Sequence, residues 1–200
     1  IFGGLVGVIV KLTNGINAYN IVFLRSIIAL IFISIILLFK NKFNLLKPYK
    51  IGNTILMGIF QGLSILFYFL AIERTNIANA IFLVYSAPVF SLILSSIFLK
   101  EKIEKNSIFG VFIAMIGILL IANPSQFSFT SENTIGNIYG LLGGFFYAAM
   151  AVSAKPLMKH VTNYYTTFWQ YVVMILMFLP FYNTNLATII FNWWQLGIIG

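Results

Sequence analysis

The strongest constraint on this chain is where its charges are missing. From Ala78 to Ile103 it reads ANAIFLVYSAPVFSLILSSIFLKEKI, with no Asp, Glu, Lys, Arg or His until Lys100. A helix rises 1.5 Å per residue and a bilayer's hydrocarbon core is about 30 Å thick, so about 20 such residues cross it. Runs on this scale cover residues 1–13 (partial), 21–39, 51–72, 77–99, 107–122, 136–154 and 166–181, and an eighth begins near 189. In lipid, backbone groups must be satisfied within the segment, which favours helices. The runs are also too long and continuous for barrel strands of about ten alternating residues. Only 8% of residues are charged and 60% are hydrophobic, against about 25% charged in a soluble domain. The expected fold is an all-α membrane protein, a polytopic helix bundle.

The gaps set the orientation. Gaps 40–50, 100–106 and 155–165 hold Lys40, Lys42, Lys47, Lys50, Lys100, Lys102, Lys105, Lys155 and Lys159, whereas the alternate gaps hold only Arg74. Cations in short loops mark the cytoplasmic side, so the lysine-rich loops are expected in the cytoplasm and the protein in the inner membrane as a multi-pass chain. The formal charge of +8 therefore reflects orientation, and nucleic acid is excluded as a partner. With no Cys, disulfides and thiolate metal sites are excluded. The chain opens on Ile1 inside one apolar run and closes on Gly200 inside another, so both ends read as cuts, and no leader resembles a signal peptide.

Lipid tails are as apolar as Leu, so helices associate through small residues. Gly136, Gly140, Gly144 and Ala148 form a one-turn ladder on the sixth span. Gly3 with Gly7, Gly58 with Gly62, and Gly110 with Ala114 repeat the spacing, and Ala87, Ser91 and Ser95 line one side of the fourth span. Pro88, near the middle of that span, removes a backbone hydrogen bond and should kink the helix. Ser91 or Tyr85 is placed to satisfy the freed carbonyl. A packing kink and a transport hinge both fit.

Polar side chains at membrane depth are candidates for function because each is costly to place there. Gln61, Tyr68, Tyr85, Tyr147 and Gln170 are the candidate substrate-binding residues, and Tyr171 adds a further hydroxyl. Tyr19, Tyr139, Tyr164 and Tyr165 fall at span ends, where an interfacial or packing role suffices. Lys11 and Arg25 lie near outer span ends. Both can snorkel to the headgroups, or face an external vestibule and attract an anionic or carboxylate-bearing solute. The four carboxylates, Glu73, Glu101, Glu104 and Glu132, all fall in gaps or at span ends, and the lone His160 is in a lysine-rich gap. No carboxylate proton relay, metal site, catalytic triad or cofactor site can be assembled from this inventory, so the chain is not expected to be an enzyme.

An internal repeat gives the bundle its architecture. IFGGLVGVIVKLT aligns with LLGGFFYAAMAVS, and FLRSIIAL with FWQYVVMI, setting Gln170 where Arg25 stands five spans earlier. An odd offset inverts the second unit, a known construction of secondary transporters. The motifs Phe23-x-Arg25, then Ala71, Thr75, Ala78 and Ala80, then Pro88-Val89-Phe90, and finally Leu99-x-Glu101-Lys102 resemble the EamA family of the drug/metabolite transporter superfamily.

That resemblance implies ten helices as two inverted five-helix halves, with about eight present here. Residues 1–122 would form the first repeat, 123–135 an external connecting loop, and 136–200 an incomplete second repeat. It also implies a central cavity for small metabolites, often amino acids. Gly3 stands where the family carries Trp, and Glu73-Arg74 replaces the usual Tyr before Thr75. The expected partners are a small-molecule solute and the lipid bilayer, with a homodimer left open. Two alternatives stand beside a permease: an embedded enzyme acting on lipid-linked substrates, and an exchanger of nucleotide-sugar or phosphate type.

Overall fold

A computed structural model describes residues 17–121 and 134–183. The predicted spans 1–13 and from 189, with Lys11, Gly3 and Gly7, and most of the 123–135 loop, lie outside the described residues. Within them run α1 (Ala18–Phe39), a 3-10 turn (Phe43–Leu46), α2 (Ile51–Arg74), α3 (Ile77–Val84), α4 (Ala87–Phe98), α5 (Lys105–Ile121), α6 (Thr134–Met158), α7 (Asn163–Phe178) and a closing 3-10 turn (Leu179–Phe181). No strand occurs among the described residues. Among the described residues four stretches are long and apolar enough to cross a membrane: Ala18–Phe39, Ile51–Arg74, Ile77–Phe98 and Thr134–Met158.

The fourth run is one span built from two helices. Pro88 has no N–H to offer the Val84 carbonyl four residues back, so the hydrogen-bond ladder is interrupted there. The chain turns at Tyr85–Ser86 instead. The Ser86 backbone N–H and its hydroxyl both donate to the Leu83 carbonyl, and the Ser86 carbonyl then accepts from Val89 N at 3.0 Å to start α4. The expected kink is thus an interruption of the α ladder at Tyr85 (φ −70°, ψ 0°) and Ser86 (φ −69°, ψ −10°), and the hydroxyl that supports it belongs to Ser86, not to Ser91 or Tyr85.

Helix directions follow from contacts at both ends. α1 and α7 run antiparallel: Tyr19 stacks on Phe181 at one end and Lys40 Nζ donates to Tyr164 Oη (2.8 Å) at the other. α2 and α6 are also antiparallel, with Thr75 against Gly136 and Met57 grouped with Ala154 and Leu157. α3 and α4 run parallel to α6, from Leu83 at Gly140 to Glu101 paired with Lys155. These directions are what successive crossings of a membrane require. All three lysine-bearing loops meet at one end, where Tyr165 Oη accepts from Tyr49 N and donates to Tyr49 O, both 2.9 Å, and Trp169 Nε1 donates to Leu46 O (3.1 Å).

Small residues hold the bundle where the ladder predicts. A Cβ at Gly136 would sit 2.8 Å from the Arg74 carbonyl carbon and from Thr75 Cβ, one at Gly140 2.8 Å from Leu83 Cβ, and one at Gly58 2.5 Å from Val173 Cβ. Only glycine permits such approach. Between them Ser64 Oγ donates to Gly143 O (2.9 Å), and Phe67 stacks flat on Phe146 with centroids 5.5 Å apart. Gly110 differs: nothing lies within 4 Å of its added Cβ, so the Gly110–Ala114 pair packs no helix among the described residues. α5 touches the bundle lightly, against α4.

Candidate functional site

Four side chains meet at one depth. Taking 1.5 Å per residue, Arg25 lies about 10 Å from the start of α1, Tyr68 about 9 Å from the end of α2, Tyr85 about 12 Å from the start of α3, and Tyr171 about 10 Å from the end of α7. All four measures start from the end of the bundle opposite the lysines. The Tyr171 hydroxyl lies beside the Arg25 guanidinium, and Tyr68 is the next phenol out. Tyr68 in turn faces Tyr85, and these two with Ile81 and Val84 line an open cavity of about 140 Å³. The Arg25 Nε is sealed from solvent without a hydrogen-bond partner among the described residues. The guanidinium faces the Tyr171 hydroxyl, and Nε is the donor of its planar fork left without a partner among the described residues.

Local structure explains each placement. α1 is apolar nearly all round, and its first turns bury Ala18, Ile21, Val22 and Ser26 against α7 and α2. Asn20 and Asn183 exchange hydrogen bonds of 3.3 and 3.1 Å, clamping the start of α1 to the chain just after α7. Tyr85 caps α3, and its ring is left half exposed because the helix breaks there. A buried polar cluster at the same end fixes α3: Asn79 Nδ2 donates to Thr75 Oγ1 and to Asn137 Oδ1, both 3.3 Å.

The remaining sequence candidates are distributed around this layer. Gln61 is half-buried seven residues before Tyr68, hence on the same face of α2 and about 10 Å deeper. It makes no hydrogen bond among the described residues. Tyr147 is exposed on α6, one turn after Gly143, against which Val84 and the Tyr68 backbone pack. Gln170 is half-buried on α7, and it is the adjacent Tyr171 that stands beside Arg25. Pro88 is exposed as the second residue of α4.

Tyr171 is the residue that sequence reasoning left out of the site. Its signal was present, because the repeat aligns Arg25 to within one residue of it. Several wider hollows lie toward the lysine-rich end, among them one of about 460 Å³ beside Glu101, Lys102, Glu104 and Lys155 and two others. One, about 360 Å³, is walled mainly by Leu56, Phe60, Leu94, Phe98 and Phe145 and offers few groups to orient a polar solute. The other, about 300 Å³, has Lys50, Lys155, Lys159 and His160 on its wall with Glu101.

Apolar helices in alternating directions, with a polar layer set between them, define a multi-pass, all-helical membrane protein. Residues 1–123 match the EamA-like transporter family, and the chain belongs to that family. It is 29% identical over 181 residues to the Bacillus subtilis uncharacterized transporter YxxF, covering 89% of this chain and 58% of that one. It is 28% identical over 163 residues to the pseudopaline exporter CntI of Pseudomonas aeruginosa, covering 82% and 56%. Solute carrier family 35 member G1 of Mus musculus is 25% identical over 173 residues, covering 82% and 47%. The chain thus spans about half the length of these relatives. A crystal structure sharing 16% identity superposes with a TM-score of 0.67 over all of this chain and 72% of the other, a likeness of fold.

Proposed function

We propose that the full-length protein carries small metabolites such as amino acids across the inner membrane, by alternating access between two inverted five-helix halves. The observation that carries this reading is the half-buried Arg25, its Nε sealed and unpartnered among the described residues, with its phenol layer. A cation about 10 Å from the helix end with one donor unpartnered is costly in a bundle that only anchors or scaffolds, and is useful in one that admits a polar solute. The lysine-rich end faces the cytoplasm in this reading, so the Arg25 layer belongs to the outer half. Gln61, Tyr68, Tyr85, Tyr147 and Gln170 bind solute, and Arg25 with Lys11 sets the charge of the outer vestibule. The break before Pro88 lets α3 and α4 move as separate rods. The printed names of relatives, an exporter and a solute carrier among them, support the same class.

The test is uptake and efflux by proteoliposomes holding the full-length protein, against a panel of amino acids, nucleotides and sugars. Saturable flux of any member, lost in Tyr85→Ala and Gln61→Ala, is expected. Absence of flux for the whole panel would overturn the proposal.

A further inference from the structure

We infer that the Arg25 layer is a carboxylate-binding subsite, with Tyr68, Tyr85 and Tyr171 as the phenols that complete it. This rests on the transport reading for its purpose, though not for its chemistry. The guanidinium carries five N–H donors in a plane, and a carboxylate accepts two of them side by side. A side-on pair uses Nε–H together with one terminal N–H. Nε is the donor that is buried and unpartnered here, so that side of the fork holds no protein acceptor, among the described residues, that a carboxylate would have to displace.

Charge balance points the same way. Among the described residues the other acids are committed elsewhere. Glu101 pairs with Lys155 at the lysine-rich end, and Glu104 is exposed at that same end. Glu73 sits at the outer end of α2, with the Ala18 backbone and Arg74 as its neighbours. The phenols beside Arg25 are neutral hydroxyls, able to accept from the guanidinium or to donate to an incoming oxygen, but they supply no charge. One half-buried cation calls for one negative charge. A carboxylate matches it, whereas a phosphate dianion would leave a second charge desolvated. The open cavity of about 140 Å³ lined by Tyr68, Ile81, Val84 and Tyr85 has room for a carboxylate and the first carbons attached to it, and Tyr68 is the residue that links it to Arg25. Tyr68 and Tyr85 line that cavity and are placed to donate to the carboxylate's outward lone pairs.

The experiment reads Arg25 directly. Full-length protein in nanodiscs is treated with phenylglyoxal, which modifies arginine, and labelling of the Arg25 peptide is followed by mass spectrometry. The probes are L-leucine, L-phenylalanine and benzoate, each beside its own carboxamide. A probe present at ten times its Kd slows labelling about tenfold, since the free fraction falls as 1/(1 + [L]/Kd). At least one carboxylate is expected to protect to that extent while its carboxamide leaves the rate unchanged. No protection by any acid, or equal protection by acid and amide, overturns the subsite.

A second arm measures flux in proteoliposomes for wild type, Arg25→Lys and Arg25→Gln. Carboxylate flux should fall more than about tenfold in R25Q and partly recover in R25K, which keeps the charge and loses the fork. If R25Q moves carboxylates at the wild-type rate, the subsite is wrong and transport stands. If the wild type moves nothing yet acids protect Arg25, the transport reading falls and the subsite stands.

Discussion

Gly144 is the position where a single methyl group tests the packing most cleanly. A Cβ there would lie 2.9 Å from Ser86 Oγ, 3.0 Å from Val84 O and 3.1 Å from Leu83 O, where ordinary contact begins at 3.4 Å. Two of the three atoms are backbone carbonyls at the helix break, held by the turn itself, so no side-chain rotation relieves the crowding. Overpacking of this kind costs about 1–3 kcal/mol. Against it, glycine to alanine inside a helix gains about 1 kcal/mol in propensity. Gly110→Ala supplies the control, because its Cβ meets nothing within 4 Å and it collects the propensity gain alone.

The difference between the two substitutions removes propensity and leaves the crowding. G144A should therefore be about 1–3 kcal/mol less stable than G110A, and Gly144→Leu worse than either. Thermal unfolding of the full-length protein in detergent, by intrinsic fluorescence, should rank G110A at or above wild type, then G144A, then G144L. An apparent midpoint for G144A equal to or above that of G110A would show that the break does not rest on α6 here.

Three further outcomes follow from the geometry. In a cysteine-free background, Asn41→Cys and Lys102→Cys should react with an impermeant maleimide from one side of the membrane and Glu73→Cys from the other; same-side labelling of all three would refute the crossing order. Tyr165→Phe removes a hydroxyl that bonds Tyr49 N, Tyr49 O and Thr54 Oγ1 at 2.9, 2.9 and 3.0 Å, and should lower stability by about 1–3 kcal/mol in the same unfolding assay. The Lys40 ammonium, by donating to Tyr164, holds that phenol below its ordinary value of about 10. Its phenolate is thus favoured in the folded state, so the pairing's contribution is present above the unfolded value and is lost as pH falls through the lowered one. Phenolate absorbance, with Tyr164→Phe as reference, should show Tyr164 titrating later in Lys40→Met.

The spans were legible because lipid leaves few choices: long apolar runs bounded by lysines permit helices and little else. The glycine ladder was legible for the same reason, and Gly136, Gly140 and Gly144 do carry the closest backbone approaches on α6. Periodicity says which face is small but not whether another helix arrives there, and Gly110 shows the difference. The site was half legible. Arg25, Tyr68 and Tyr85 stand out as polar groups at depth, but their convergence depends on how α1, α2, α3 and α7 cross. Tyr171 could be ranked above Gln170 only once α7 was rotated against α1. A kink was the natural expectation at Pro88; that Ser86 would close a full turn there depends on Gly144 accepting the exposed carbonyls.

That break permits a sharper test of what Pro88 does. Proline in a helix interior costs about 3 kcal/mol, through the lost hydrogen bond and the ring's clash with the preceding turn. At the first turn of a helix neither cost applies, because the N–H there needs no intrahelical partner. Pro88 is the second residue of α4, so Pro88→Ala should change stability by less than about 1 kcal/mol. A gain near 3 kcal/mol would mean that the proline strains a continuous helix. The break also separates two attachments. α3 is tied to the first turn of α6 through Thr75, Asn79 and Asn137, whereas α4 packs by Leu94 on Ala148, Ala149 and Val152 farther along. Restoring an N–H at position 88 gives the Val84 carbonyl a donor and draws α3 toward one rod with α4, carrying the Tyr85 ring with it. P88A should therefore keep its unfolding midpoint and lose flux. A variant that keeps both would assign the proline to packing alone.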